Sequence, residues 1–397
     1  MTTSLDLPDP TTIPLRSPHD VLAAVPYRLG FRPTESIVLA CTTAQDEPGL
    51  VARVGLEDLR SPGADAGLAA LARAVAGTRP ERCLLALYTS HDVSAAADAL
   101  EAVLDAVEAV VPVDPWLVTP DGYRGLGCED PTCCPEPGHP LGALDSSEIG
   151  AAYVLAGHVA ADSAQAAFAI ARASDAARNL AGRAARRSEI ARGRTAGDDA
   201  GRLRWRGDAL DAWREALRTV EVGQGPDGGD GGLGPALLGR VAAGLADRAV
   251  RDAVLLTLLP GGEEAARATT GAGDRATVDE ETGQALGRVV DPARGVAPDV
   301  EVIARARAVL EQVDAHVPQR LRAAGLTLLA FLAWWAGDGP RASYRVAEAL
   351  DVDESYRLAR LVHCVVSSAL PPGWIRARAG RARHPAPSRT RPTGDVR

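Results

Sequence analysis

WLVTPDGYRGLGCEDPTCCPEPGHPL, residues 116–141, carries three of the chain's six cysteines and stands where an alternating strand–helix pattern gives way to an almost wholly helical one. Its glycines surrender much chain entropy on folding, and its prolines fix what remains, so an ordered loop of this composition needs a constraint. Residues 115–119 read as a strand feeding the loop, which makes it the hinge between two kinds of architecture.

Upstream, Ser17 and Pro18 form a helix start, N-cap then proline at the first helical position, and Gly30 stops that helix. The apolar run 36–42 (SIVLACT) reads as a strand buried on both faces. Residues 50–56 alternate more and carry Arg53, which places that strand at or near an edge, joined to the first as a hairpin. A helix over 64–76, a strand over 83–88 and a helix over 92–110 follow. Apolar strands joined through helices predict a layered α/β domain over 12–145 with a mixed, mostly parallel sheet, preceded by a flexible lead at 1–11.

Downstream the pattern predicts an all-α C-terminal region without strands. Helices are expected at 147–159, 163–192, 201–219, 235–259 with a break near Asp247, 299–315, 318–336, 340–350 and 354–369, and a short one near 280–289. This divides into a helical region (146–222), a Gly-rich linker (223–234), a helical domain (235–375) with a tetratricopeptide-like hairpin, and a disordered basic tail (376–397). The run LTLLAFLAWWA, 326–336, is apolar all round and belongs at the centre of the helical domain; it is too short to span a bilayer.

All 43 basic residues are arginine, which excludes a P-loop lysine and Schiff-base chemistry. A net charge of -9 argues against general nucleic-acid binding, the basic tail excepted. The first residues have no basic or apolar signal region, so the expected location is cytoplasmic, with cysteines as thiols or metal ligands rather than disulfides. GDGGLG at 229–234 matches a dinucleotide fingerprint in letters only, because no strand precedes it and acids flank it.

Cys128, Cys133, Cys134 and His139 offer four zinc-type ligands within one loop, but the C-x4-C-C spacing departs from C-x2-C, and adjacent cysteines tend to point apart. Two further readings stand beside metal binding: a redox thiol site, and a proline-braced loop whose cysteines pack as small apolar groups. At the carboxyl edge of the sheet, His91, Asp121 and Tyr123 are candidate catalytic groups and Arg32 and Arg124 candidate ligand-binding groups; Ser90 is expected to cap the helix that follows it.

SPHDVLAAVPYRLGFRPTESIVL (17–39), GYRGLGCEDPTCCP (122–135) and WWAGDGPRASYRVAEAL (334–350) together resemble an uncharacterised actinobacterial family catalogued as a domain of unknown function, DUF4192. The resemblance covers about residues 12–375, rests on Gly30-Phe31-Arg32-Pro33 and on Cys128, Cys133, Cys134 and Pro135, and does not include His139. It implies a cytoplasmic protein and lends no activity. The leading expectation is therefore a non-enzymatic binding or adaptor protein whose helical region engages a protein partner, with no membrane association. The alternatives are a small-molecule enzyme or sensor at the sheet edge, and a metal- or thiol-responsive protein using Cys128, Cys133 and Cys134, with zinc as the cofactor.

Overall fold

A computed structural model describes residues 13–61, 63–222, 232–271 and 275–382. The expected lead, residues 223–231 of the Gly-rich linker, which include Gly229 and Gly231 of the fingerprint-like run, and the tail from residue 383 lie outside the described residues.

The N-terminal part runs α1 (Pro18–Leu29), β1 (Ser36–Thr42), β2 (Pro48–Gly55), α2 (Ala64–Thr78), β3 (Arg82–Tyr88), α3 (Ala97–Glu108), β4 (Val113–Thr119) and β5 (Gly122–Gly125). Helix α1 begins as expected: the Ser17 side chain accepts from the Asp20 amide while Asp20 reaches back to the Ser17 amide, and Gly30 ends the helix at φ +82°. The strands form one sheet in the order β2-β1-β3-β4-β5, with β2 at an edge.

The sheet is mixed, but mostly antiparallel rather than mostly parallel: β1 pairs antiparallel with β2 and with β3, β4 antiparallel with β5, and only β3–β4 is parallel. Two causes account for the difference. Strand β3 returns beside β1 and not beside β2, so the hairpin strand intervenes between the two strands that the α2 crossover joins. The start of the quoted loop is also a strand, β5, folded back on β4 through the Pro120-Asp121 turn.

Alternation along the central strands builds two cores. Val38, Ala40, Leu84, Ala86, Tyr88 and Val118 face α1 and the later residues Ile149, Tyr153 and Phe168. Ile37, Leu39, Cys41, Cys83, Leu85, Leu87 and Leu117 face α2 and α3.

No strand follows β5 among the described residues. The helices are α4 (Gly142–Asp145), α5 (Glu148–Leu155), α6 (Ala164–Phe168), α7 (Asp175–Arg194), α8 (Asp199–Thr219), α9 (Pro235–Leu245), α10 (Arg248–Thr257), α11 (Glu263–Thr270), α12 (Arg275–Val290), α13 (Val300–His316), α14 (Arg322–Ala336), α15 (Gly339–Val352), α16 (Arg357–Ser367) and α17 (Gly373–Ala382). The helix expected over 163–192 is two helices, α6 and α7, and α17 takes in the first residues of the segment expected to be disordered. Asp247 makes the predicted break, accepting from the amides of Ala249 and Val250 as N-cap of α10. Helix α14 is buried from Ala323 to Trp335 and packs against α13, α15 and α16, the central position its apolar circumference requires. Among the described residues, no helix is long and apolar enough to cross a membrane.

Candidate metal centre

Strand β5 pairs Tyr123 with Val118 and Arg124 with Leu117, and the chain then turns out of the sheet. Two backbone contacts pin the loop to this hairpin. Leu126 donates its amide to the Pro115 carbonyl at 2.8 Å, and Tyr123 and His139 exchange amide–carbonyl bonds at 3.0 and 2.8 Å. The second closure brings two backbones so near that a Cβ on Gly138 (φ +147°) would stand 2.9 Å from the Tyr123 nitrogen. Only glycine fits there.

Inside this closed loop Asp130 organises a tight turn. Its carboxylate accepts from the Thr132 amide at 2.8 Å and hydroxyl at 2.6 Å, and its carbonyl accepts from the amides of Cys133 and Cys134 at 3.1 and 2.7 Å. The turn overrides the tendency of neighbouring cysteines to diverge: the Sγ atoms of Cys133 and Cys134 are 4.0 Å apart, and those of Cys128, Cys133 and Cys134 all lie within 4.8 Å of one another. Cys134 is buried and its sulfur accepts from the Gly125 amide at 3.4 Å, whereas Cys128 and Cys133 are exposed. Exposure of two of the three is not what small apolar packing produces.

The thiols differ in acidity because they share protons. A hydrogen bond from the Asp130 backbone, then one from Cys134, hold Cys128 below the ordinary thiol value. Bonds with Cys134 and Cys128 push Cys133 up to about 11. A divalent cation replaces those shared protons when three thiolates bind it, at S–metal distances near 2.3 Å for zinc.

His139 is held outside this cluster. Its Nε2 sits 2.7 Å from the Cys133 carbonyl oxygen, and its ring lies 5.2 Å from that of Tyr123, whose hydroxyl meets His19 Nδ1 at 2.7 Å. Burial raises the Tyr123 phenol. The imidazole therefore braces the backbone at Cys133 and is not one of the converging groups.

The remaining candidates are drawn to separate partners. Arg32 bonds Asp145 at 2.7 Å, Arg124 pairs with Glu136, Tyr123 turns to His19, and His91 and Asp121 are exposed. Ser90 does not cap the following helix; Asp92 does, accepting from the Ser94 amide. Ser90 instead donates its amide and hydroxyl, each at 2.7 Å, to Glu35, which also accepts from Thr89 at 3.2 Å. Glu35 holds this position at φ +40°, a left-handed conformation unusual for a residue with a side chain. Sequence reasoning missed this carboxylate, and also Cys41 and Cys83, which face each other across β1 and β3 with sulfurs 3.5 Å apart. Both cysteines lay in predicted strands and only the pairing register joins them, while Glu35 lay just ahead of the first strand with nothing local to mark its partners.

No curated protein and no solved structure matches the chain. The sequence profile of one family, described as a domain of unknown function (DUF4192), matches residues 18–373. That match takes in α1, the sheet, the thiol loop and the helical core, and the chain belongs to the DUF4192 family.

Proposed function

We propose that this chain is a non-enzymatic binding protein of the cytoplasm whose loop after β5 holds a thiophilic divalent cation, zinc foremost, on Cys128, Cys133 and Cys134. The convergence of three sulfurs within 4.8 Å supports this reading. The donor set is soft and carries the negative charge that a divalent cation compensates. Cys134 would anchor the cation against the hairpin through its Gly125 contact, while Cys128 and Cys133 would close the loop over it. The bound cation would supply the constraint that a Pro- and Gly-rich loop lacks.

The test is metal content of the full chain purified under reducing conditions. About one zinc per chain is expected, lost in a Cys128→Ser, Cys134→Ser double variant. Metal-free protein that stays metal-free after incubation with zinc would end this reading.

A further inference from the structure

Three soft donors converge in the loop after β5, and their number matters as much as their softness. The sulfurs of Cys128, Cys133 and Cys134 lie within 4.8 Å of one another, and among the described residues no histidine, aspartate or glutamate belongs to that group. The His139 ring is spent on the Cys133 carbonyl oxygen, 2.7 Å from Nε2, and the Asp130 carboxylate on the amide and hydroxyl of Thr132. Cys128 and Cys133 are exposed, so a solute reaches them directly, while Cys134 seals the far side against the Gly125 amide.

Charge sharpens the choice of occupant. Residues 126–141 contain Glu129, Asp130 and Glu136 but no arginine or lysine, and Arg124 just before them is paired with Glu136. A divalent cation on three thiolates leaves one negative charge in this acidic loop and a fourth place to fill, since structural zinc is four-coordinate. An anion would be repelled. A trivalent centre that makes three bonds and carries a lone pair leaves neither difficulty. Three thiolates neutralise it, and the lone pair stands where a fourth ligand would, on the open side of the loop. Soft sulfur ligands favour such a soft centre.

We infer that this site captures trivalent arsenic from arsenous acid, which is uncharged in neutral water and so is not turned away by Glu129 and Asp130. The inference rests on the reading that the three sulfurs act as one donor set, and not on zinc as the occupant. Each thiol forms one arsenic–sulfur bond as its proton joins a hydroxyl of arsenous acid and leaves with it as water. Three bonds release three waters, no atom changes oxidation state, and the product is neutral. The Asp130 turn already holds the Cys133 and Cys134 sulfurs 4.0 Å apart, so closure asks for a small movement of the exposed thiols.

The experiment is titration of the full chain, reduced with a phosphine, with sodium arsenite, followed by intact mass and by mapping the cysteines left open to alkylation. One arsenic per chain is expected, with Cys128, Cys133 and Cys134 protected and Cys364, exposed on α16, still alkylated. Cys128→Ser, Cys133→Ser and Cys134→Ser should each weaken arsenite binding by about tenfold or more, as loss of a direct ligand demands, while Cys364→Ser should not change it. Phenylarsine oxide, which bonds two thiols, should still bind each loop variant, which separates a lost ligand from a lost loop. The alkylation map needs no variant, so the inference stays testable if one does not fold. Arsenite that protects fewer than three of these cysteines would overturn it, as would a single loop variant that binds arsenite as tightly as the wild type. Zinc binding without arsenite capture would leave the zinc reading standing and sink this one; arsenite capture without zinc binding would do the reverse, and capture of neither would sink both.

Discussion

The guanidinium of Arg345 on α15 donates to the backbone carbonyl of Phe168 at the end of α6, 177 residues earlier in the chain. Phe168 lies in the core of the sheet, edge-on to Phe31, and Arg341 covers its ring at 4.7 Å. The helical part thus grips the α/β part through two arginines one helical turn apart on α15.

Replacing Arg345 with Met should destabilise the protein by about 3 kcal/mol, because it leaves the Phe168 carbonyl and Glu348 without their donor in a buried setting. Chemical denaturation followed by circular dichroism would measure this. A loss below about 1 kcal/mol would show that this grip contributes little.

Leu329, 3% exposed on α14, tests the central position of that helix. Leu329→Ala should cost about 3 kcal/mol through the cavity it leaves, and Leu329→Asp at least about 4 kcal/mol through a buried unpaired charge. Equal melting temperatures for the two variants would contradict this ranking.

Gly138 tests how the thiol loop is closed. At φ +147° with Tyr123 backbone atoms 2.9 and 3.0 Å from any added Cβ, Gly138→Ala should cost about 2 kcal/mol and separate the loop from the hairpin. Zinc content and thermal unfolding of that variant should fall together. Unchanged values would mean that the loop is held by something else.

Glu35 predicts a pH dependence. Burial pushes its carboxyl up, but hydrogen bonds from Ser90 and Thr89 outweigh burial and hold it below its ordinary value. A carboxyl depressed by folding contributes stability that is fully present above its unfolded value of about 4.3, and that contribution is lost as pH falls through the lower folded value. Below about pH 4, the wild-type chain should therefore lose stability more steeply than Glu35→Gln. Parallel acid profiles for the two proteins would refute this.

Much of the fold was legible in local patterns. The Ser17-Pro18 cap, the Asp247 break and the all-round apolar run of α14 are local or periodic signals, and local signals survive into tertiary structure when packing agrees with them. The direction of the strands was not legible in the same way. Alternation reports which faces are buried and says nothing about neighbours, so the placement of β3 beside β1 had to come from the packed sheet.

The candidate site divides along the same line. The sequence alone determined that Cys128, Cys133 and Cys134 share one proline-braced loop at the end of a strand, because proximity along the chain guarantees proximity in space at that range. Tertiary structure decided that their sulfurs converge, since that rests on the Asp130 turn and on the Tyr123–His139 closure. It alone also joined Cys41 to Cys83, Glu35 to Ser90 and Arg345 to Phe168. Contacts between residues this far apart in sequence form only when the intervening chain has packed, and no local preference of either residue encodes its partner.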